Sequence, residues 1–372
     1  MNWPWRETEP EGVLLRAMLA PVAILSWGYG LLAFADRTRY VRGWKKRRRV
    51  DARVISVGSL VVGGSGKTPM ASWLAERLHR RGHKVALLSR GYGGRPGGRP
   101  LGGHAEQSVT VVSDGQHVLT GPERTGDEPF MLAGQAAGVP VVVSQDRGVA
   151  ALRAISAYGA DVLILDDGFQ HYRLQRDLDL VIFDAEFGAG NGHLLPRGPL
   201  RESLRGLQRA DAIGEVDGAL PEAITRAISR HAPEAFRFRA QRRPVSLRNL
   251  DATAVVSPDV LRGMKVGIIA GIARPESLRQ TLCALGAEIV AERMFRDHHR
   301  YREQNFRGLT EQASVWITTE KDAVKLLPGW TAGVDLRVLA VRIAVAEDDA
   351  LIDWIESRLD LGGAGRQSLL DD

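Results

Sequence analysis

Three glycines, a lysine and a threonine in the passage VISVGSLVVGGSGKTP are the residues best suited to chemistry. Gly63, Gly64 and Gly66, with Ser65 among them, let backbone N–H groups curl around phosphate oxygens, and the helix that follows adds the positive end of its dipole. In such a loop Lys67 contacts the β- and γ-phosphates, and Thr68 offers its hydroxyl to Mg²⁺. The general form of this loop has a glycine where the chain has Val61. A second signal is DVLILDDGFQH, a hydrophobic strand that ends in Asp166 and Asp167. A parallel strand delivers its C-terminal carboxylates to the sheet edge that carries the phosphate loop, so one of the two is expected to hold Mg²⁺, directly or through water. The sequence leaves open which one. A guanine-reading segment would place Lys two residues before Asp, whereas TTEKD sets Lys321 beside Asp322, so ATP is preferred to GTP.

These residues need a scaffold. From Val54 onward, apolar runs (VISVGSLVV, KVALLSR, PVVVS, DVLILDD, DLVIF) alternate with helical stretches, one of them from Pro69 to about Arg81. That pattern predicts an α/β fold of P-loop NTPase type, a mostly parallel sheet with helices on both faces. Gly91–Gly103 reads as a surface loop, and the polar, Arg-rich passage Gln241–Asn249 as a linker. A further α/β series (KVGIIAGIA, AEIVAERMF, SVWITTEKDAVKL, LRVLAVRI) follows. The expected domains are an apolar membrane-associated helix in 1–40, a P-loop core in 41–245, a smaller C-terminal α/β domain in 250–361 and a flexible tail in 362–372.

Composition narrows the function classes. The chain of 372 residues is 44% hydrophobic and 25% charged, ordinary for a globular body. Its one cysteine, Cys283, excludes an internal disulfide and a Cys-rich metal site. Residues 1–50 hold ten Arg and Lys against four acids, which accounts for the whole net charge of +6. Positive charge confined to one end argues against a nucleic-acid partner and for an anionic partner near that terminus.

Ala17–Ala35 carries no charge over nineteen residues. As a helix it would reach about 30 Å, the thickness of a bilayer core. Acids precede it and Arg37, Arg39, Arg42 and Lys45–Arg49 follow, the reverse of a cleaved signal and the order that places the remaining chain in the cytoplasm. Pro21, Ser26, Gly28 and Gly30 weaken the helix, and an interfacial helix among anionic headgroups competes with a spanning one.

Seven passages in order resemble the tetraacyldisaccharide 4′-kinase family, the lipid A disaccharide kinases of Gram-negative bacteria. They are GGSGKTP, SRGYGG (Ser89–Gly94), GDEP (Gly126–Pro129), DDGFQH (Asp166–His171), GNGHLLPRGPLRE (Gly190–Glu202), FRDHH (Phe295–His299) and TTEKD (Thr318–Asp322). The resemblance implies transfer of the γ-phosphate of ATP, with Mg²⁺, to the 4′-hydroxyl of an acylated glucosamine disaccharide 1-phosphate in lipopolysaccharide biosynthesis. It places the enzyme on the cytoplasmic face of the inner membrane, with the lipid surface as partner and no obligate protein partner. It also implies a P-loop core whose cleft closes against the smaller domain. Val61 fits this family's own loop, whereas Ser59 stands where Asn is usual and Arg296 where Pro is typical.

The family's catalytic acid maps onto Asp127 and its paired histidine onto His298, with Lys67 as the catalytic lysine. A sugar hydroxyl is a poor nucleophile and needs a positioned base, so Asp127 is expected to receive the proton while His298 orients it. The competing role for Asp127 is a helix N-cap. His298 and His299 beside Asp297 lack further ligands at metal spacing, and Asp297 is a candidate to fix a histidine tautomer. Arg201, followed by Glu202, and then Arg147 are the expected cationic partners of phosphoryl group and lipid. Arg90, Tyr92 and Glu128 are further candidates to face the substrate. Gln170 and His171 either line the cleft or start a helix, and Thr319 and Lys321 occupy a strand end.

Two other classes share part of this pattern. A membrane-associated P-loop GTPase or metallochaperone would need a guanine-reading segment. A non-catalytic nucleotide-binding module would bind ATP without transfer.

Overall fold

The computed structural model of the chain describes residues 13–91, 109–331 and 333–361. Tyr92, most of the expected Gly91–Gly103 loop and the expected tail at 362–372 lie outside the described residues.

Helix α1 (Val13–Val41) leads into strand β1 (Arg53–Gly58), helix α2 (Lys67–Arg80) and β2 (Val85–Ser89). Strand β3 (Thr110–Asp114), helices α3 (Pro122–Thr125) and α4 (Asp127–Gln135), β4 (Pro140–Val143), α5 (Arg147–Tyr158), β5 (Val162–Asp166) and β6 (Leu178–Asp184) follow. Next come β7 (Ala212–Val216), α6 (Glu222–His231), β8 (Phe236–Asn249), β9 (Val255–Val256), β10 (Lys265–Ala270), α7 (Pro275–Ala284) and β11 (Glu288–Met294). The last described elements are β12 (Val315–Thr319), α8 (Glu320–Ala323), β13 (Asp335–Val345) and α9 (Asp348–Leu359).

All the described strands join one thirteen-stranded sheet, in the order β11-β10-β12-β13-β8-β7-β6-β1-β5-β2-β4-β3, with β9 on β8. The pairs are parallel except β3/β4, β8/β13 and β8/β9. Side chains alternate between faces as the pleat requires. Ile55 and Val57 of β1 and Ile164 of β5 pack with Met70, Leu74 and Leu78 of α2, Leu132 of α4 and Ile355 of α9. On the opposite face Val54, Leu163 and Leu165 meet Ala150, Ala151 and Ala154 of α5, while Val181, Phe183 and Ile213 meet Ile224 and Ile228 of α6. The C-terminal series has its own core around Leu247, Ile268, Leu282 and Ile317.

The expected linker Gln241–Asn249 is instead the second half of β8. This strand pairs in parallel with β7 through Phe236–Ala240 and antiparallel with β13 through Ala240–Asn249, so hydrogen bonding is continuous from core to C-terminal series. Phe238, Ala240 and Leu247 turn inward while Arg237, Arg239 and Gln241 face solvent. A strand with one wet face and Pro244 beside a bulge at Val245 reads as loop composition.

Helix α1 runs unbroken through Pro21, Ser26, Gly28 and Gly30, contrary to their expected effect. The Ser26 hydroxyl donates to the Leu194 carbonyl at 3.0 Å and accepts the Arg197 N–H at 3.0 Å. A Cβ on Gly30 would stand 2.6 Å from Leu194 Cδ1, so the small residues are where the loop before Leu200 seats on the helix. Further along, Tyr40 meets Tyr172 at 6.1 Å between ring centroids. The opposite face exposes Ile24, Leu25, Trp27, Leu31, Leu32 and Phe34, and Leu19–Val41 is long and apolar enough to cross a membrane.

Candidate active site

The phosphate loop leaves β1 at Gly58, where a Cβ would sit 2.5 Å from Phe169 Cβ. That close approach draws the loop after β5 against the loop after β1. Gly66, with φ 88°, turns the chain into α2, which begins at Lys67, two residues earlier than expected. Lys67 is buried. Its Nζ donates to the Gly63 carbonyl at 3.3 Å and to Ser65 Oγ at 3.4 Å, and lies 3.8 Å from Asp167 Oδ1. Such an ammonium curled inside its own loop is placed to meet phosphate oxygens there.

Asp166 and Asp167 have different partners. The Thr68 hydroxyl donates to Asp166, 3.2 Å from each oxygen. Burial pushes the Asp166 carboxyl up to about 7, and the charges of Glu128 and Asp167 add to the rise against Lys67. This donor set fits Mg²⁺: a hard cation takes a hydroxyl and a carboxylate oxygen, and its charge would offset the crowding of carboxylates. Among the described residues no three His, Cys, Asp or Glu side chains form a metal cluster. Asp167, in the left-handed region with φ 54°, accepts from Arg201 Nη1 at 2.7 and 2.8 Å. Burial pushes its carboxyl up, but Lys67 and Arg201 outweigh that and hold it below the ordinary range.

The passages after each strand interlock here. Arg201 also donates to Gln170 Oε1 at 3.2 Å, and Gln170 Nε2 donates to the Ser59 carbonyl at 3.1 Å and to Glu202 at 3.0 Å. Arg209 holds Glu202 at 2.8 Å and covers the Phe169 ring. Gln170 and His171 start no helix; the chain runs in turns to β6. Arg147 opens α5, 4% exposed, and burial pulls its guanidinium down to about 10, helped by the charge of Arg90. Burial and then Arg147 pull His171 down to about 4, so this imidazole is neutral. Arg90 itself is exposed.

A second cluster joins core to C-terminal series. Asp127 is the first residue of α4 after Gly126 rather than its cap, and it is buried. His298, at φ 58°, brings Nδ1 to 3.0 Å from Asp127 Oδ2. Burial raises the Asp127 carboxyl, but the hydrogen bond to His298 and the charges of Lys321, His298 and Lys325 leave it below the ordinary range. The same hydrogen bond raises His298 in spite of burial and Lys321. Lys321 Nζ lies 3.4 Å from Glu128 and 3.0 Å from Asp297, and Lys325 lies 3.9 Å from Asp127. Glu128 thus links the clusters, held by Lys321 on one side and acting on Asp166 on the other. Thr319 accepts the Asp322 N–H at 3.1 Å and caps α8.

Sequence reasoning missed a third group. Arg242 of β8 donates to Asp184 at 2.7 Å, to Asp217 at 2.6 Å and to the Gly64 carbonyl at 2.9 Å. Arg274, which precedes α7, also pairs with Asp184 and reaches the Gly64 carbonyl at 3.4 Å. The signal was an Asp closing an apolar strand, DLVIFD, as in β5.

A glycine-built phosphate cradle with its lysine and threonine, an acidic strand end beside it and a carboxylate–imidazole pair define the class of P-loop phosphotransferases. The family model for tetraacyldisaccharide-1-P 4′-kinase (LpxK) matches residues 16–360, and the chain belongs to that family. It is 39% identical over 372 residues to the tetraacyldisaccharide 4′-kinase of Anaeromyxobacter sp. (strain Fw109-5), covering 97% of this chain and 96% of the relative. With the enzyme of that name from Syntrophus aciditrophicus it shares 40% identity over 331 residues, 84% of this chain and 85% of the relative. The crystal structure of LpxK from Aquifex aeolicus in complex with ATP is similar throughout, with a TM-score of 0.71 at 29% identity over 93% of this chain and 99% of that one.

Proposed function

We propose that the protein transfers the γ-phosphate of ATP to the 4′-hydroxyl of a tetraacyldisaccharide 1-phosphate, a lipid A precursor. The observation that carries this is the Asp127–His298 pair at 3.0 Å, connected through Lys321 and Glu128 to the Asp166–Thr68 end of the phosphate loop. Loop amides from Gly63 to Thr68 and the Lys67 ammonium hold the β- and γ-phosphates. Thr68 and Asp166 would hold Mg²⁺, which neutralises charge on the phosphates when bound. The hydroxyl oxygen bonds to the γ-phosphorus as the bond from phosphorus to the β–γ bridging oxygen breaks, and ADP leaves. Asp127, kept ionised by its neighbours, takes the hydroxyl proton, and His298 holds the carboxylate in place. Arg201 and Arg147 supply positive charge beside the transferred group, with Gln170, Glu202, neutral His171 and Arg90 at the acceptor side.

The core of 41–245 and the α/β series of 250–361 act as two parts of one sheet that close on the site. On the lipid side, α1 lies on the cytoplasmic face of the inner membrane rather than crossing it. Ser26, Gly30 and Tyr40 seat one face of it on the protein, so this stretch runs along the protein body and is not free to enter a bilayer core of roughly 30 Å. Its exposed apolar face would enter the headgroup region, and Arg37–Arg49 would meet anionic lipids.

The test is incubation of the full chain with γ-labelled ATP, Mg²⁺ and a panel of glycolipids, followed by chromatography of the lipids. Label on the disaccharide 1-phosphate is the expected result. ATP bound without label on any lipid would refute the transfer.

A further inference from the structure

We propose that Arg274 binds the phosphates that stay with ADP, exchanging protein oxygens for nucleotide oxygens when the phosphate loop fills. It lies in the turn between β10 and α7, at the carboxyl edge of the C-terminal series, yet its partners belong to the core. Nη1 pairs closely with Asp184 and stands 3.4 Å from the Gly64 carbonyl, while Nη2 lies 3.2 Å from Glu186. A Cβ on Gly64 would stand 3.5 Å from Arg274 Cδ, so the side chain lies against the glycine turn itself.

Every one of these acceptors is an oxygen, and the planar fork of a guanidinium matches phosphate as well as carboxylate. The bonds differ in how firmly they hold. Asp184 is 2% exposed and fixed also by Arg242, whereas Glu186 is 37% exposed and the Gly64 contact is long for a hydrogen bond. Nucleotide phosphate carries more charge than an exposed carboxylate, so it displaces these two and leaves Asp184 as the anchor. Arg242 is held differently. It sits on strand β8, gripped by Asp184 at 2.7 Å and Asp217 at 2.6 Å, and keeps the Gly64 carbonyl at 2.9 Å. Arg242 therefore steadies the loop, and Arg274 is the cation that turns toward its contents.

Strand order selects the phosphates. Strands β5 and β6 flank β1 on opposite sides. The β5 side carries Asp166, Asp167 and Arg201 with the acceptor groups, and the β6 side carries Asp184 and with it Arg274. Attacking and leaving oxygens lie roughly in line through the γ-phosphorus, so the side away from the acceptor holds the phosphates that are not transferred. A contact kept equally in ground and transition states lowers KM and leaves kcat alone.

The proposal rests on the reading of the loop as an ATP site, and ADP binding tests it without lipid. Titration calorimetry of the full chain in detergent, with Mg²⁺ and either ADP or ATP, compares wild type with Arg274→Met, which keeps a stem over Phe187 and removes the charge. Both nucleotides are expected to bind about ten- to a hundredfold more weakly, the worth of a hydrogen bond to a charged group, with KM for ATP raised alike and kcat held. Wild-type ADP affinity in Arg274→Met would overturn the proposal, as would a fall in kcat with KM unchanged. Should that variant fail to fold, Glu186→Gln decides. Loss of the competing carboxylate is expected to tighten ADP by about two- to threefold, and equal or weaker binding would overturn the proposal. Wild-type protein that binds neither nucleotide would instead refute the ATP site itself.

Discussion

The hydroxyl of Thr68 lies 3.2 Å from both carboxylate oxygens of Asp166, although the two residues are 98 positions apart. Parallel pairing of β1 with β5 makes this contact, because adjacent parallel strands end at the same sheet edge. If the pair holds the cation, Thr68→Ala and Asp166→Asn should each raise the Mg²⁺ concentration for half-maximal turnover by roughly ten- to hundredfold. A Mg²⁺ titration at fixed ATP reads this, and an unshifted midpoint in both variants would remove the cation from this pair.

Asp184 is 2% exposed and accepts from Arg242 and Arg274, which reach it from β8 and from the turn before α7. Asp184→Ala would leave two guanidiniums without that carboxylate. The expected destabilisation is near the lower end of the roughly 3–5 kcal/mol for breaking a buried pair, because both guanidiniums keep some solvent. Denaturant unfolding measures it, and a midpoint unchanged from wild type would show that the cluster contributes nothing to folding.

The Asp127–His298 pair has a defined pH signature. His298 is raised in the fold, so its contribution is full below the unfolded imidazole value of about 6.5 and fades as pH rises through the folded value. Asp127 is lowered, so its contribution is present above about 3.9 and fades as pH falls through the folded value. The stability gap between wild type and His298→Gln should therefore be widest at about pH 4–6.5 and narrow toward alkaline pH. Thermal unfolding across pH would display this, and a gap that widens with rising pH would contradict the assigned shifts.

How far the sequence could be read followed the kind of signal each residue leaves. Lys67 and Thr68 were legible because a loop that wraps phosphate needs glycines at fixed spacing before them, and Asp166 because an apolar strand announces where its carboxylates emerge. The pairing of Asp127 with His298 spans 171 positions and two α/β series, and only the family resemblance suggested it. Arg242 was lost in a passage whose outward-facing arginines resemble a linker, because a half-wet strand and a loop share their composition. Lys321 was visible only as a strand-end residue, since the contacts it makes depend on Glu128 and on the Asp297–His298 turn arriving from two other places.

Ser26 and Gly30 tie α1 to the loop that ends in Arg201. Gly30→Leu would drive a side chain into Leu194, and Ser26→Ala would leave the Leu194 carbonyl and the Arg197 N–H without their shared partner, at about 1 kcal/mol or more. Both variants should cut faster between α1 and β1 under limited proteolysis in detergent. KM for the lipid should rise while KM for ATP holds. Cleavage at the wild-type rate in both would mean that the seat on Leu194 does not retain the helix.

The central claim is that Asp127 receives the acceptor proton while the phosphate loop holds ATP without its help. Single-turnover transfer from pre-bound, γ-labelled ATP to the lipid, compared between wild type and Asp127→Asn, tests it most directly. The account predicts equal ATP binding and a transfer rate reduced by about 10²–10⁴-fold, the usual worth of a general base. Transfer at the wild-type rate in Asp127→Asn would contradict it.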